Sequence, residues 1–263
     1  RDLHSFPTRR SSDLHVDDAF AERWWQQVLD APQWGESYKA AGLSCLRTFY
    51  AWARRLRYTS ADPFGDVRRP RVVSSFRPAL SETEVLALVQ QWMSRPGDPR
   101  DMRALAIYLT MYSGALRVGA VIGLDVGDVD LEAGTVWIRQ DKGGKSHVKP
   151  LAPVAVDAIR LYLKHVRPLW AETDDGPLFV SIHGRRILYE TVWRDLRRAA
   201  RLVTNKKVTP HTIRRTAATH MRFHGAMLEQ VQQFLGHAKL ETTRQYLAHD
   251  PGELGQVWRA THP

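Results

Sequence analysis

Residues 209–221 read Thr209-Pro210-His211-Thr212-Ile213-Arg214-Arg215-Thr216-Ala217-Ala218-Thr219-His220-Met221. A threonine followed by proline opens a helix, because the hydroxyl caps a free N–H and proline needs no donor at the first helical position. His211 and Arg214 therefore fall in the first turns, three residues apart and on one face, where the helix N-terminus favours an anion. Downstream, Leu235-Gly236-His237 offers a glycine that can end a helix and leave His237 exposed at the break. Nine residues further on stands Tyr246, in another short helical run. Upstream, Arg117 follows TMYSGAL at the point where a helix gives way to a turn.

The 263 residues carry 38 Lys plus Arg against 28 Asp plus Glu, a formal charge of +10 and a sequence pI near 10.0. This length suits one large domain or two modest ones. With 43% hydrophobic and 10% aromatic residues, a mostly disordered chain is excluded. No run approaches the roughly 18 to 20 apolar residues of a membrane span and no export signal opens the chain, so a cytoplasmic, nucleoid-associated protein is expected, with no membrane partner. Cys45, the one cysteine, can form no intrachain disulfide. Walker loop, acidic cluster and Cys/His ligand set are all missing from the text, so the expected metal and cofactor complement is none. A charge surplus of this size favours a polyanion, most often nucleic acid.

The opening peptide, RDLHSFPTRRSSDL over residues 1–14, is similar to translated adapter sequence found at the ends of unrelated reading frames, and is set aside from fold reasoning. From 15 to 73 the text is helical. Val16, Phe20, Trp24 and Val28 form one predicted stripe, and a second helix over about 37–56 points Leu43, Leu46, Phe49, Tyr50 and Ala53 inward. Between Arg47 and Arg77 eight arginines face Asp62 and Asp66, a net +6 that calls for phosphate. Arg47, Arg54, Arg55, Arg68, Arg69 and Arg71 are the candidate DNA contacts there, with Lys145 and Arg215 further on.

Pro70 and Pro78 mark a linker over 74–80, and Ser81 with Glu84 forms a capping box that starts a second domain over 81–263. Helices are predicted at about 81–93 and 101–113, then a hairpin with strands Thr135 to Arg139 and Ser146 to Leu151 around Asp141-Lys142-Gly143-Gly144. A helix follows Pro153, with Val156, Ile159, Leu161 and Leu163 as its apolar residues. Leu178 to Ile182 reads as a short strand and Tyr189 to Arg201 as a basic helix. The expected fold is mostly α with a small β-sheet or hairpin.

The phrases YSGALRVGAVIGLDVGDVD, KGGKSHVKPL, TPHTIRRTAATHM and LGHAKLETTRQYL, in that order and at these spacings, resemble the motif boxes of the tyrosine recombinases, or phage integrases, of the Xer-like kind. The resemblance covers about residues 80–250. It implies an all-helical N-terminal core-binding domain that clamps DNA, and a mixed α/β catalytic domain. The activity it implies is metal-independent cleavage and rejoining of duplex DNA through a 3′-phosphotyrosine. Catalytic roles fall on Arg117, Lys142, His211, Arg214, His237 and Tyr246: Tyr246 as nucleophile, both arginines on the non-bridging oxygens, Lys142 as acid toward the 5′ oxygen, His211 exchanging a proton with Tyr246 and His237 hydrogen-bonding the phosphate. Partners implied are double-stranded DNA with inverted-repeat sites and a homotetramer on two sites, monomeric or weakly dimeric without DNA. A DNA-binding protein with an idle catalytic set and a type IB-like topoisomerase are the alternative readings.

Some residues depart from the pattern. Ala115 stands where glycine is usual, and Ala120 where a carboxylate is usual, with Asp125 or Asp128 as possible substitutes; Arg215 replaces a common histidine. His147 and Lys149 replace more usual basic and apolar residues, which reads as a surface change. The family's first clamp helix would precede residue 15, so a longer natural chain is expected, with Trp24, Trp25 and Trp34 exposed. The tail carries Leu254, Val257 and Trp258 on one stripe, which the resemblance would dock on a neighbouring protomer.

Overall fold

The computed structural model describes residues 18–72, 79–95, 97–139 and 146–236, and divides the chain into two compact units, Arg1–Ser75 and Phe76–Pro263. The first unit is built on α1 (Asp18–Asp30) and α2 (Glu36–Arg55). Their shared core is Ala21, Trp25, Val28, Leu43, Tyr50 and Phe64, with Trp24 edge-on to Phe64. The buried stripe of α1 is thus Ala21, Trp25 and Val28, whereas Phe20 and Trp24 stand half out of the core. Val28 is shared with the predicted stripe, which is otherwise shifted by one residue: Trp25 enters the core, while Trp24, partly exposed, packs edge-on against Phe64. Trp25 is correspondingly buried and not exposed, while Trp24 and Trp34 are each 37% exposed. On α2, Leu43, Tyr50 and Ala53 point inward as predicted, but Phe49 lies outside against Trp52. Lys39 is buried too, donating to Leu29 O at 2.5 Å and so closing the end of α1.

The second unit gathers around α4 (Pro99–Ser113), which packs against α3 (Glu82–Met93), α6 (Pro153–His165), α7 (Tyr189–Val203) and α8 (Pro210–Phe223). Nine side chains of α4 are buried, from Asp101 to Met111, so its apolar surface is nearly continuous around the helix, as a central helix requires. Ser81 and Glu84 form the capping box expected at the start of α3. The sheet is antiparallel in the order β1 (Val129–Asp130), β2 (Thr135–Ile138), β3 (His147–Pro150), with Val136 opposite Lys149 and Trp137 opposite Val148. Two short elements were not legible beforehand: β1, only two residues long, and α5 (Val118–Gly123). On α6 the fully buried aromatic is Tyr162, whose hydroxyl accepts from Val180 N, while Leu161 faces out.

Leu178 to Ile182 is not a strand. Leu178, Phe179 and Val180 are wholly buried, but the segment makes only isolated bridges, Asp125 to Pro177 and Val180 to Arg186. Its backbone groups are satisfied piecemeal: Leu178 N donates to Leu124 O and Phe179 O accepts from Ile187 N, while Tyr162 serves Val180 N and Arg103 donates to Val180 O at 3.0 Å. An apolar run of this length reports burial and cannot by itself report a ladder partner. After α8 comes α9 (Leu228–Leu235), ended by Gly236 in the left-handed region (φ 66°, ψ 34°) as the glycine there predicts.

Candidate active site and DNA-facing surface

Thr209 caps α8, its side chain accepting from Thr212 N at 3.2 Å, and Pro210 occupies the first helical position. His211 is exposed on the first turn. Arg214, one turn on, is only 4% exposed. Its guanidinium donates through Nη1 to Ala115 O at 2.7 Å and through Nη2 to Leu235 O at 2.5 Å. Ala115 lies two residues before Arg117, and Leu235 two residues before His237. One buried side chain thus joins the turn after α4 to the end of α9, and three motif segments far apart in sequence meet at it.

The turn after α4 has an unusual backbone. Ala115 sits at φ 46°, a region that glycine enters freely and alanine enters at a cost. Its Cβ is buried against Ala217, Ala218, Val231 and Leu235, so the methyl group gains packing where glycine would have none. The chain then turns into α5 with Arg117 at its N-cap position, backbone extended and side chain half-buried. Where the family's carboxylate is absent at Ala120, Asp125 and Asp128 take arginines of their own. Asp125 pairs with Arg186 at 2.5 Å and Arg139 at 2.7 Å, and Asp128 pairs with Arg139 at 2.7 Å. The Arg186 hydrogen bond, assisted by Arg139, holds the Asp125 carboxyl below its usual range.

The last turn of α4 is fixed from the other side by His220. Tyr112 and His220 Nδ1 lie 2.7 Å apart, and His220 Nε2 lies 2.8 Å from Leu80 O. A carbonyl only accepts, so Nε2 carries the proton and Tyr112 O–H donates to Nδ1. Burial pushes the His220 pKa below its ordinary 6.5, in keeping with this neutral form. Leu80 N in turn donates to Thr216 Oγ1 at 3.0 Å. The end of the predicted linker is therefore stitched to the helix that carries Arg214.

Lys142, His237 and Tyr246, along with Lys145 and the tail residues Leu254, Val257 and Trp258, lie outside the described residues. Of the expected DNA contacts in the first unit, Arg55, Arg68, Arg69 and Arg71 are exposed. Arg54 reaches Asp62 at 2.6 Å. Arg47 turns back on its own fold, donating to Phe64 O, Gly65 O and Val67 O at 2.9, 2.9 and 2.6 Å. Arg215 is half-buried on α8. Lys149, read as a surface change, is 7% exposed on the inward side of β3, because strand alternation places it there with Val136 opposite.

A second basic feature went unassigned in the sequence. A groove of about 890 Å³ opens between the start of α4, residues 181–188 and α7, lined by Arg100, Arg185, Arg194 and Arg198 among others. Arg198 is partly spent on the buried Asp101, at 2.9 Å, while Arg100, Arg185 and Arg194 are exposed. Ten Lys and Arg stand against two acids over 185–215, within which Tyr189 to Arg201 reads as a basic helix. What the count lacked was Arg100, brought in from 85 residues upstream by the packing of α4 on α7. No group of His, Cys, Asp or Glu that could hold a metal occurs among the described residues. None of their helices is long and apolar enough to cross a membrane.

Comparison with known proteins agrees with this geometry. Tyrosine recombinase XerD of Lacticaseibacillus casei is 33% identical over 225 residues, which cover 84% of this chain and 75% of the relative. The crystal structure of XerA recombinase is 26% identical and superposes with a TM-score of 0.63 over 95% of this chain and 84% of that one. That of XerH site-specific recombinase bound to palindromic difH substrate, 17% identical, shares the fold with a TM-score of 0.74 over 93% of this chain and 72% of that one. The model of the phage integrase family matches residues 78–253, so the chain belongs to that family, the tyrosine-type site-specific recombinases.

Proposed function

We propose that this recombinase cleaves and rejoins duplex DNA through Tyr246. The phenolate oxygen attacks the scissile phosphorus, a P–O bond forms to tyrosine, and the bond to the 5′ oxygen breaks. The products are a 3′-phosphotyrosine and a free 5′-hydroxyl. Lys142 supplies the proton to that departing oxygen and His211 takes the proton from Tyr246. Arg117 and Arg214 stabilise the charge on the non-bridging oxygens, with His237 as a further donor. A 5′-hydroxyl from another strand reverses the same steps, which is why no external energy source is needed.

The observation that carries this reading is the placement of Arg214. Its guanidinium holds Ala115 O and Leu235 O, and so draws the segments leading into Arg117 and His237 toward the start of α8, where His211 stands. Ala115 in place of glycine has not undone the turn, since its carbonyl is one of the two that Arg214 holds. This disfavours the idle DNA-binding alternative.

DNA meets the exposed arginines Arg55, Arg68, Arg69 and Arg71 and the groove lined by Arg100, Arg185 and Arg194, and the sites are inverted repeats on which four protomers assemble. The same affinity for DNA would place the protein in the nucleoid. A nicked suicide substrate tests the reading: a covalent protein–DNA adduct is expected, and it must vanish in Tyr246→Phe. Tight binding without adduct would instead support the idle protein. A topoisomerase would relax a plasmid lacking paired sites, which this protein is expected not to do.

A further inference from the structure

Lys149 occupies an inward position of β3, opposite Val136, where strand alternation calls for an apolar side chain. A buried ammonium is costly unless it is held by dipoles or a counter-charge. Its Nζ donates to Phe234 O and lies 4.4 Å from the centre of the Phe234 ring. Phe234 belongs to the last turn of α9, where the helix dipole is negative and the final carbonyls need donors. All four are served: Gln232 O and Gln233 O by Gly236 N–H, Phe234 O by Lys149 and Leu235 O by Arg214.

These contacts belong to a closed ring. Lys149 joins β3 to α9, and Arg214 joins α9 to α8 and α8 to the turn after α4. Ser113, the last residue of α4, accepts from Ala152 N, three residues beyond Lys149, which brings the path back to the end of β3. Arg214 is one member of this ring and Lys149 another. An eight-residue helix has little stability of its own, so its last turn depends on such donors. Without Lys149 the peptide of Phe234 loses its anchor, and the adjoining Leu235 O, which fixes one arm of the Arg214 guanidinium, is free to shift.

We propose that Lys149 is a positioning residue: through the end of α9 it sets the aim of the Arg214 guanidinium at the scissile phosphate. This rests on the reading of Arg214 as a phosphate clamp. Displacing such a group by an ångström costs up to about a hundredfold in rate, and loss of a supporting partner about ten- to a hundredfold.

The test is single-turnover adduct formation on the nicked suicide substrate, with DNA affinity measured alongside. Wild type and Tyr246→Phe come first; if the adduct is absent, or survives in Tyr246→Phe, the parent reading fails before Lys149 is examined. With that reading intact, Lys149→Val, apolar and β-branched as an inward strand position prefers, is expected to bind DNA as wild type does and to react about ten- to a hundredfold more slowly. Lys149→Arg, which keeps a donor toward Phe234 O, is expected to recover most of the rate. A methylphosphonate at the scissile position removes the charge that Arg214 neutralises, so the Val deficit should shrink there, as that of Arg214→Ala is expected to. A 5′-bridging sulfur, which needs no acid, should leave it unchanged. The proposal is overturned if Lys149→Val reacts at the wild-type rate, if Lys149→Arg is as slow as Lys149→Val, or if weaker DNA binding accounts for the whole loss. Relief by the sulfur substrate and not by the methylphosphonate would likewise overturn it.

Discussion

Truncating Arg214 should damage the fold as well as the chemistry, and the size of the first effect can be worked from two hydrogen bonds. Nη1 serves Ala115 O at 2.7 Å and Nη2 serves Leu235 O at 2.5 Å, both in surroundings that leave the side chain 4% exposed. In Arg214→Ala both carbonyls lose a charged donor, and a buried acceptor left without a partner costs about 1 to 3 kcal/mol. Relief of the buried guanidinium's own desolvation offsets part of this. A net loss of about 2 to 4 kcal/mol follows, which for a unit of this size lowers the melting midpoint by about 4 to 16 °C. Arg214→Lys keeps the charge but offers one compact ammonium in place of a fork, so it can reach one carbonyl at a time and should recover about half of the loss. The assay is thermal melting without DNA, so that phosphate binding does not enter. If Arg214→Ala melts within about a degree of wild type, the guanidinium is not what holds the two segments together. The account of how the site is gathered would then be wrong, whatever the variant does to cleavage.

Gly184 has φ 73° and a Cβ there would stand 2.5 Å from Trp170 O, so Gly184→Ala should cost about 2 to 4 kcal/mol by urea titration, and a neutral result would contradict the backbone geometry. His220, whose pKa burial lowers, is neutral in the fold and takes up a proton more readily once unfolded. Stability should therefore fall as pH drops from about 6.5 toward the lower folded-state value, by up to about 1.4 kcal/mol per pH unit, and Tyr112 would lose its acceptor on protonation. His220→Gln should flatten that part of the pH profile, and an unchanged slope would show that another group sets it. Finally, Arg47→Ala should lower the melting of the first unit, since three carbonyls lose their donor. The exposed Arg55→Ala should leave melting within about 0.5 kcal/mol and instead reduce the salt dependence of DNA binding by about one counterion. The reverse pattern would exchange their roles.

What was legible in the sequence was what local chemistry decides. The capping box at Ser81 and Glu84, the Thr209-Pro210 helix start and the Gly236 stop each depend on a few neighbouring residues, and each stands where those residues put it. The order of helices around the hairpin was likewise readable, because their apolar periodicity is strong. What was hidden depends on partners distant in sequence. Leu178 to Val180 is buried without a continuous ladder because its backbone groups are shared among Leu124, Ile187, Tyr162 and Arg103. Arg47 was counted with the surface charge, yet its side chain is committed 17 to 20 residues ahead, at Phe64, Gly65 and Val67. A charge count registers how many arginines there are and is silent on which of them the fold consumes.

The departures from the family pattern show the same limit from the other side. Ala115 in the left-handed region costs about 1 to 2 kcal/mol relative to glycine. Against this stand the burial of its methyl group, about 0.8 kcal/mol, and the lower entropy of an unfolded alanine, about 0.4 to 1 kcal/mol. The contributions nearly cancel, so glycine at this turn is one solution and a buried alanine among Ala217, Ala218 and Val231 is another. Lys149 follows the same logic: a charged residue in an apolar strand position is tolerable because α9 ends beside it with a carbonyl to serve. Neither substitution can be judged at its own position. Each depends on α8 or α9 beside it, and Arg214 ties those two helices together, so the residues that vary around this site are coupled through Arg214.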